Sequence, residues 1–503
     1  MARCIMIQGT MSSAGKSLLA AGLCRLFSQD GWRVAPYKSQ NMALNSFITR
    51  DGLEMGRAQA LQAQAAGVEP DVRMNPLLLK PTGDAGSQVI LMGRVLGDYP
   101  AAKYFALKKS FWPQLLEAYD SLAAENDILV LEGAGSPAEI NLKADDIVNM
   151  GLAARVNAPV LLVGDIDRGG VFAQLYGTLA LLEEEERARV KGLVINKFRG
   201  DEALLAPGLA QLTALTGRPV AGVVPWLDLN LEDEDSLAPR LGRAAPGGAV
   251  DVAVIRLPHL SNFTDFDPLE EVPGLGVRYV SDPAALGRPD LVILPGTKTT
   301  LDDLLWLRQK GLEGAILALA ASGTPVLGIC GGYQMLGRSL HDPNGVEGPA
   351  GRSLPGLGLL DCETVFAPQK TRTRVACRFE KAEGFWSCLA GAEANGYEIH
   401  MGRTDSPRPL CRVWGQFEGG PAPHREGAFR GNVAGCYLHG LFEEGQALHR
   451  LAHALFKAKG LRAPAFGPDH RALRARQLDL LADTLRKKLD IPALYRMMEG
   501  SGR

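Results

Sequence analysis

A cysteine and a histidine far apart in the chain, and a lysine–serine pair near its start, are the residues whose settings could carry chemistry. Cys330 lies within GICGGYQMLG, residues 328–337. The apolar run Pro325 to Ile329 before it reads as a buried parallel strand, and Tyr333 and Leu336 after it read as the first turn of a helix. A cysteine on that turn, with flanking glycines that permit positive φ and close backbone approach, forms a nucleophile elbow carrying sulfur. A free thiol titrates near about 8.5, so it needs a base or a favourable electrostatic setting to act near neutrality. The helix amide end supplies part of that setting. The base is His439 in GCYLHGLFE, at a second strand-to-loop junction, as expected of a pair adjacent in space but not in sequence. The bland alternative is a small buried hydrophobe before a helix.

The second constellation is phosphate chemistry. RCIMIQG runs straight into GTMSSAGKS, Gly9 to Ser17, and then a long apolar helix. Strand, glycine-containing loop and helix start make an anion cradle: backbone amides and the helix dipole hold phosphate, Lys16 reaches the β/γ phosphates, and Ser17 can bind Mg²⁺. Glu132 ends the apolar strand of DILVLEGAG and is carried to the carboxyl edge of a parallel sheet, where ligands of such sheets collect. That carboxylate suits a Mg²⁺ that keeps several waters and bridges phosphates; a strand-end Glu is otherwise merely exposed.

These motifs resemble two known families. The C-terminal half resembles class I, triad-type glutamine amidotransferases, with PGTKTTLDDL (295–304) at the family's oxyanion-loop position. The resemblance implies Cys330 and His439 as catalytic residues, glutamine as nitrogen donor, and N–H groups near Gly296 and Gly331 facing the tetrahedral oxyanion, each worth roughly 3 kcal/mol. Most such domains carry Glu two residues after the histidine, but Leu441 stands there. Glu443 is not taken as its replacement, and the group that orients His439 stays unassigned. This departure is typical of the corrinoid-amidating branch.

The N-terminal half resembles dethiobiotin synthetase-like ATPases, which share the loop of five rather than four residues between Gly9 and Gly15. That resemblance implies ATP held by Gly9, Thr10, Ser13, Gly15, Lys16, Ser17 and Lys38, with Asn196 reading the adenine near Pro225, and Mg²⁺ held by Ser17 and Glu132. For Lys38 a solvated loop is the alternative. The additional early lysine of partition-type ATPases is missing between Gly9 and Gly15, which argues against a membrane-cycling ATPase. YKSQNMALNS (37–46) closely resembles a signature of the glutamine-hydrolysing corrinoid amidases. Gln40, Asn41 and Asn45 are uncharged donors suited to a polar substrate, and Asn41 is the substrate candidate. Asp146 either caps the following helix or, by similarity, lies against the substrate.

Other polar residues divide more evenly. Glu54 or Gln59 faces the nucleotide site or a helix surface; Lys80 meets a substrate carboxylate or solvent; Asp165 and Asp167 sit at a strand edge. Ser261, Asn262 and Asp265 occupy a loop facing either the glutamine site or the partner domain. His400, on an alternating strand, reads as a hydrogen-bonded structural histidine.

The elements that must position these residues are repeated strand–helix–strand units, so the expected fold is α/β: two doubly wound domains with mainly parallel sheets, the first dethiobiotin synthetase-like and the second flavodoxin-like. The partition is 1–230 for the ATP-binding, corrinoid-amidating domain, 231–249 for a linker, 250–455 for the amidotransferase domain and 456–503 for a C-terminal helical segment, strongly amphipathic near its end. At 503 residues the chain holds two or three full-sized cores. A net charge of −2 argues against nucleic acid as a partner. Eight cysteines without close pairs indicate neither a zinc cluster nor a disulfide framework. No basic-then-apolar leader precedes the first strand and no apolar run reaches about 18 residues, so a cytoplasmic protein with no membrane partner is expected.

Joined, the resemblances imply an ATP-dependent amide ligase fed by glutamine, its substrate a small corrinoid, adenosylcobyrinic acid a,c-diamide, amidated at the b, d, e and g carboxylates. The alternatives are the earlier a,c-diamide synthase of the same architecture and a non-enzymatic glutamine-responsive P-loop switch.

Overall fold

Strand Arg3–Gly9, buried along all but its first residue, is the centre of a six-stranded parallel sheet in the computed structural model. Ile128–Glu132 and Val34–Tyr37 lie on one side; Val160–Asp165, Val190–Phe198 and Val220–Pro225 follow on the other. Near-continuous apolar runs such as ILVLE and VLLVGD are what a sheet covered on both faces requires. The first strand has later strands on both flanks, so strand order reverses there, and the carboxyl ends at that switch point carry Gly9–Ser17 and Glu132.

The structure describes residues 2–82, 86–229, 231, 247–416, 420–467 and 469–503. The chain forms two compact units: residues 1–43, 55–231 and 474–503, and residues 44–54 and 232–473. This differs from the sequence partition in two places. The C-terminal helix His470–Lys488 and helix Ile491–Met497 lend Leu478, Leu481, Ala482, Leu485, Ile491 and Leu494 to the core of the first unit, against Leu19, Leu23 and Leu26 of helix Lys16–Gln29. A Cβ at Gly22 would stand 2.5 Å from Leu485 Cδ1, so Gly22 is the notch that admits the returning helix. The second difference is residues 44–54, which leave the first unit as an excursion and join the second. Most of the expected linker 231–249 falls outside the described residues.

The second unit is built on the sheet order Leu275–Val280, Val250–Ile255, Leu291–Leu294, Val326–Ile329, Val433–Cys436, Ala428–Arg430, the first five parallel and the last antiparallel. Strand Val326–Ile329, which leads into Cys330, thus lies between the strand that leads into Pro295–Gly296 and the strand that leads into His439. Three loops far apart in sequence leave adjacent strands at the same sheet edge. A further, mostly antiparallel sheet contains the long hairpin Glu363–Phe379 and Glu393–Asp405. The doubly wound α/β expectation holds for both units.

Candidate active site

Cys330 has φ of 52° and ψ of −110°, a conformation that L-residues avoid and that costs of order 1–3 kcal/mol. The cost is met by tight packing beneath the turn. Cys330 N–H donates to Cys436 O at 2.9 Å, and Gly332 N–H donates to Pro295 O at 3.0 Å. A Cβ at Gly332 would fall 1.9 Å from Leu294 O, so only glycine lets helix Gly331–Leu336 descend onto the neighbouring strand. The elbow read from sequence is therefore present, with the thiol directed at Ile399 O, 3.5 Å away.

His439 is fully buried, and the Cys330 side chain is close enough to raise its pKa. Its Nδ1 lies 2.6 Å from Asp265 Oδ2, while Asp265 Oδ1 accepts Gly440 N–H at 2.9 Å. Asp265 is thus the orienting group left unassigned by the sequence. It holds both the imidazole and the backbone beside it, and it directs Nε2 away from itself. Burial works against a charged imidazole, but the Asp265 charge and hydrogen bond, reinforced by Cys330, overcome it and carry the His439 pKa up to about 10. An imidazolium that persists at neutrality beside a thiol is the electrostatic setting a cysteine nucleophile needs.

The remaining walls come from three places. A Cβ at Gly296 would stand 3.1 Å from His439 Cε1, and one at Gly331 would stand 2.6 Å from Thr297 Cγ2, so the oxyanion-loop residues and the elbow meet beside the histidine. Asn262, itself in the left-handed region at φ 52°, brings Nδ2 within 3.5 Å of His439 Nε2. The Tyr397 ring stacks on the imidazole, centroids 5.2 Å apart at 19°, and the two residues exchange backbone hydrogen bonds. His400 stacks on Tyr437, donates Nδ1–H to Gly402 O at 2.6 Å, and is pushed down to about 4 by burial, so it is a neutral structural histidine.

In the first unit Glu132 is the hub. Its Oε1 accepts Ser17 Oγ–H at 2.7 Å and Lys38 Nζ at 2.8 Å, and its Oε2 accepts Gln62 Nε2 at 2.6 Å. Gln59 adds a longer contact at 3.4 Å and accepts from Asn41 Nδ2 at 3.0 Å. Lys16 Nζ donates to Met11 O and Gly135 O, tying the glycine loop to the EGAG turn. Thr10 Oγ1 bonds Gln174 Oε1 at 3.2 Å, and Ser13, at φ 58°, offers its carbonyl to Lys197. Gly15 takes φ 95°, and a Cβ there would lie 2.1 Å from Asn196 Nδ2. A hydroxyl and a carboxylate side by side form a hard-oxygen donor pair of the kind a small divalent cation on a phosphate chain takes. Residues and group therefore fit.

Several expectations change in role. Asn196 Nδ2 donates to Ala14 O at 2.9 Å and so braces the loop. Both Asp146 oxygens accept backbone N–H groups, from Val148, Asn149 and Gly151, so the cap accounts for it rather than a substrate. Asn41 is buried between Gln59 and its neighbour's N–H rather than presented to a ligand. Asn45, by contrast, is buried with neither side-chain polar atom hydrogen-bonded. Gln59 faces the Glu132 cluster, Glu54 does not, and Lys80 is buried rather than at the surface. Sequence reasoning missed Gln62, three residues beyond Gln59 on the same helix, and Lys197, whose ammonium pairs with Asp165 at 2.7 Å.

Comparison with known proteins places both units. Residues 251–447 match the CobB/CobQ-like glutamine amidotransferase domain, and residues 5–237 match the CobQ/CobB/MinD/ParA nucleotide binding domain. The class is thus a glutamine amidotransferase fused to a nucleotide-binding domain. Cobyric acid synthase of Ruminiclostridium cellulolyticum is 54% identical over 99% of this chain and 98% of its own. Those of Photorhabdus laumondii (53%, 98% of each chain) and Salmonella typhimurium (51%, 99% of each) are similar to the same extent. A glutamine amidotransferase structure from Thermotoga maritima, 19% identical over 50% of this chain and all of its own, superposes with a TM-score of only 0.27. At such identity over nearly the whole length, the chain belongs to the cobyric acid synthase family of cobalamin biosynthesis.

Proposed function

We propose that the protein converts adenosylcobyrinic acid a,c-diamide to cobyric acid, amidating the b, d, e and g carboxylates with nitrogen from glutamine at the expense of ATP. The observation that carries the reading is the Cys330–His439–Asp265 constellation, present on the same chain as the Ser17–Lys38–Glu132 cluster.

In the glutaminase half, the Cys330 sulfur attacks the glutamine carboxamide carbon, with the oxyanion facing the N–H groups of Gly296 and Gly331. His439 gives its proton to the departing nitrogen, which leaves as ammonia, and a γ-glutamyl thioester remains on Cys330. His439 then takes a proton from water, which opens the thioester to glutamate and returns the thiol. Asp265 keeps the imidazole in the tautomer and orientation both steps require.

In the other half, Gly9–Ser17 cradles the phosphates, and Lys16 and Lys38 face them. A substrate carboxylate takes the γ-phosphate, leaving ADP, and ammonia displaces phosphate from the acyl phosphate to give the amide. Mg²⁺, when bound, would be held by Ser17 and Glu132 and would neutralise phosphate charge.

The test incubates the protein with glutamine, ATP and each of cobyrinic acid and its a,c-diamide, and counts amides by mass. Four additions to the a,c-diamide support the reading. Additions to cobyrinic acid alone would make it an a,c-diamide synthase, and glutamine-responsive nucleotide binding without amidation would make it a switch.

A further inference from the structure

Residues 44–54 belong in sequence to the nucleotide-binding half, yet they are built into the amidotransferase unit. The segment is a short ribbon, Ser46–Ile48 paired with Glu54–Gly56, closed by Ser46 Oγ–H donating to Glu54 Oε1 at 2.8 Å. Glu54 is fully buried and pairs with Lys370 Nζ at 2.7 Å. Arg374 Nε donates to Ile48 O at 2.9 Å, and its guanidinium sits 4.8 Å over the Phe47 ring. Ile48 packs in an apolar cluster with Tyr397 and Ile399. An ion pair, a charge-assisted hydrogen bond, a cation–π contact and apolar burial on eleven residues fix the ribbon in place.

What the ribbon grips is the surroundings of the histidine. Ser46 N–H donates to Asn262 Oδ1 at 2.9 Å, and Ser46 O accepts Tyr397 O–H at 3.2 Å. Asn262 touches His439 Nε2 with its other amide atom, and Tyr397 stacks on the imidazole face. One residue therefore holds two of the side chains that meet the ring.

We infer that residues 44–54 are a positioning element of the glutaminase site, acting through Ser46 on Asn262 and Tyr397 to set the His439 ring against Cys330. The inference rests on the reading of Cys330 and His439 as the glutaminase pair. It makes the amidotransferase half dependent on a piece of chain outside residues 251–447, the stretch that matches the amidotransferase family model.

The experiment compares full-length wild type with Y397F, R374A and C330A, measuring glutamine hydrolysis, ammonia-driven amidation and thermal unfolding on each. Y397F keeps a ring against His439 and removes the hydroxyl that holds Ser46; R374A releases the ribbon at Ile48 and Phe47. The expected result for both is a kcat for glutamine hydrolysis about tenfold lower, since small misplacements of a catalytic group cost rate steeply. KM for glutamine should change less than about twofold, and ammonia-driven amidation should hold, because orientation rather than binding is lost. Wild-type kcat in both variants overturns the inference. So does a rise in KM alone, or a parallel loss of ammonia-driven activity and melting temperature, which would mark plain unfolding. Retention of glutamine hydrolysis by C330A would sink the underlying reading of the pair, separately from any result on the ribbon.

Discussion

At the scale of single residues, the histidine beside Cys330 is set by opposing forces whose balance can be read in a pH profile. Burial alone would keep His439 neutral; the Asp265 charge, 2.6 Å away, and the Cys330 side chain reverse that and raise its pKa to about 10. A raised histidine pKa means the proton is held through neutrality and lost as pH climbs through the folded value, so the stabilisation it brings is complete below about 6.5 and gone above about 10. Glutamine hydrolysis should therefore keep its rate on the alkaline side until pH approaches 10. In D265N the strongest raising influence is removed, and the alkaline limb should move down toward the ordinary histidine range. A stopped-time glutaminase assay across pH checks this; an unmoved limb in D265N would show that Asp265 does not govern the imidazole. C330S, which lacks the sulfur nucleophile, should lose glutamine use while ammonia still drives amidation. Loss of both would mean the halves do not work independently. In the other unit E132Q should show the reverse pattern, retaining glutamine hydrolysis while amidation from either nitrogen source falls by at least about tenfold.

At the scale of elements, what was legible in the sequence is what strand–turn–helix succession encodes locally. Cys330, Lys16, Ser17 and Glu132 sit where a short apolar run meets a glycine-containing turn, and both the run and the turn are visible in one dimension. His439 was legible for the same reason. Asp265 was visible as a polar loop residue but not as the histidine's partner, because its place depends on which strands neighbour which. Val250–Ile255 is two strands from the nucleophile strand, and nothing in its composition says so. Residues 44–54 were illegible for a related reason: two three-residue strands carry no usable period, and a destination in the other unit is purely a matter of long-range packing. The contacts of Asn196, Asp146 and Asn41 were illegible at a third point, since a polar side chain near a site satisfies a backbone as readily as a ligand. Packing also sets the tolerance of the elbow. G332A would drive a methyl into the Leu294 carbonyl, and the variant is expected to lose several kcal/mol of stability or to fail to accumulate. Chemical denaturation against wild type measures it.

At the scale of the whole molecule, the first and last stretches of the chain share one core. Leu481 and Leu485 are fully buried among the residues of helix Lys16–Gln29. L485A should therefore lower the stability of the nucleotide-binding unit by about 2–5 kcal/mol, as buried leucine truncations do, with the amidotransferase unit unfolding as before. Calorimetry resolves the two transitions; a shift confined to the other unit would contradict the shared core. No described helix is long and apolar enough to cross a membrane.

The return of residues 474–503 to the first unit also fixes a timetable. Synthesis runs from the amino end, so the phosphate loop leaves the ribosome well before residues 474–503, which seal the hydrophobic face behind it. A chain cut short before residue 474 leaves that face bare. The core behind the phosphate loop therefore closes only after the amidotransferase residues between have been made.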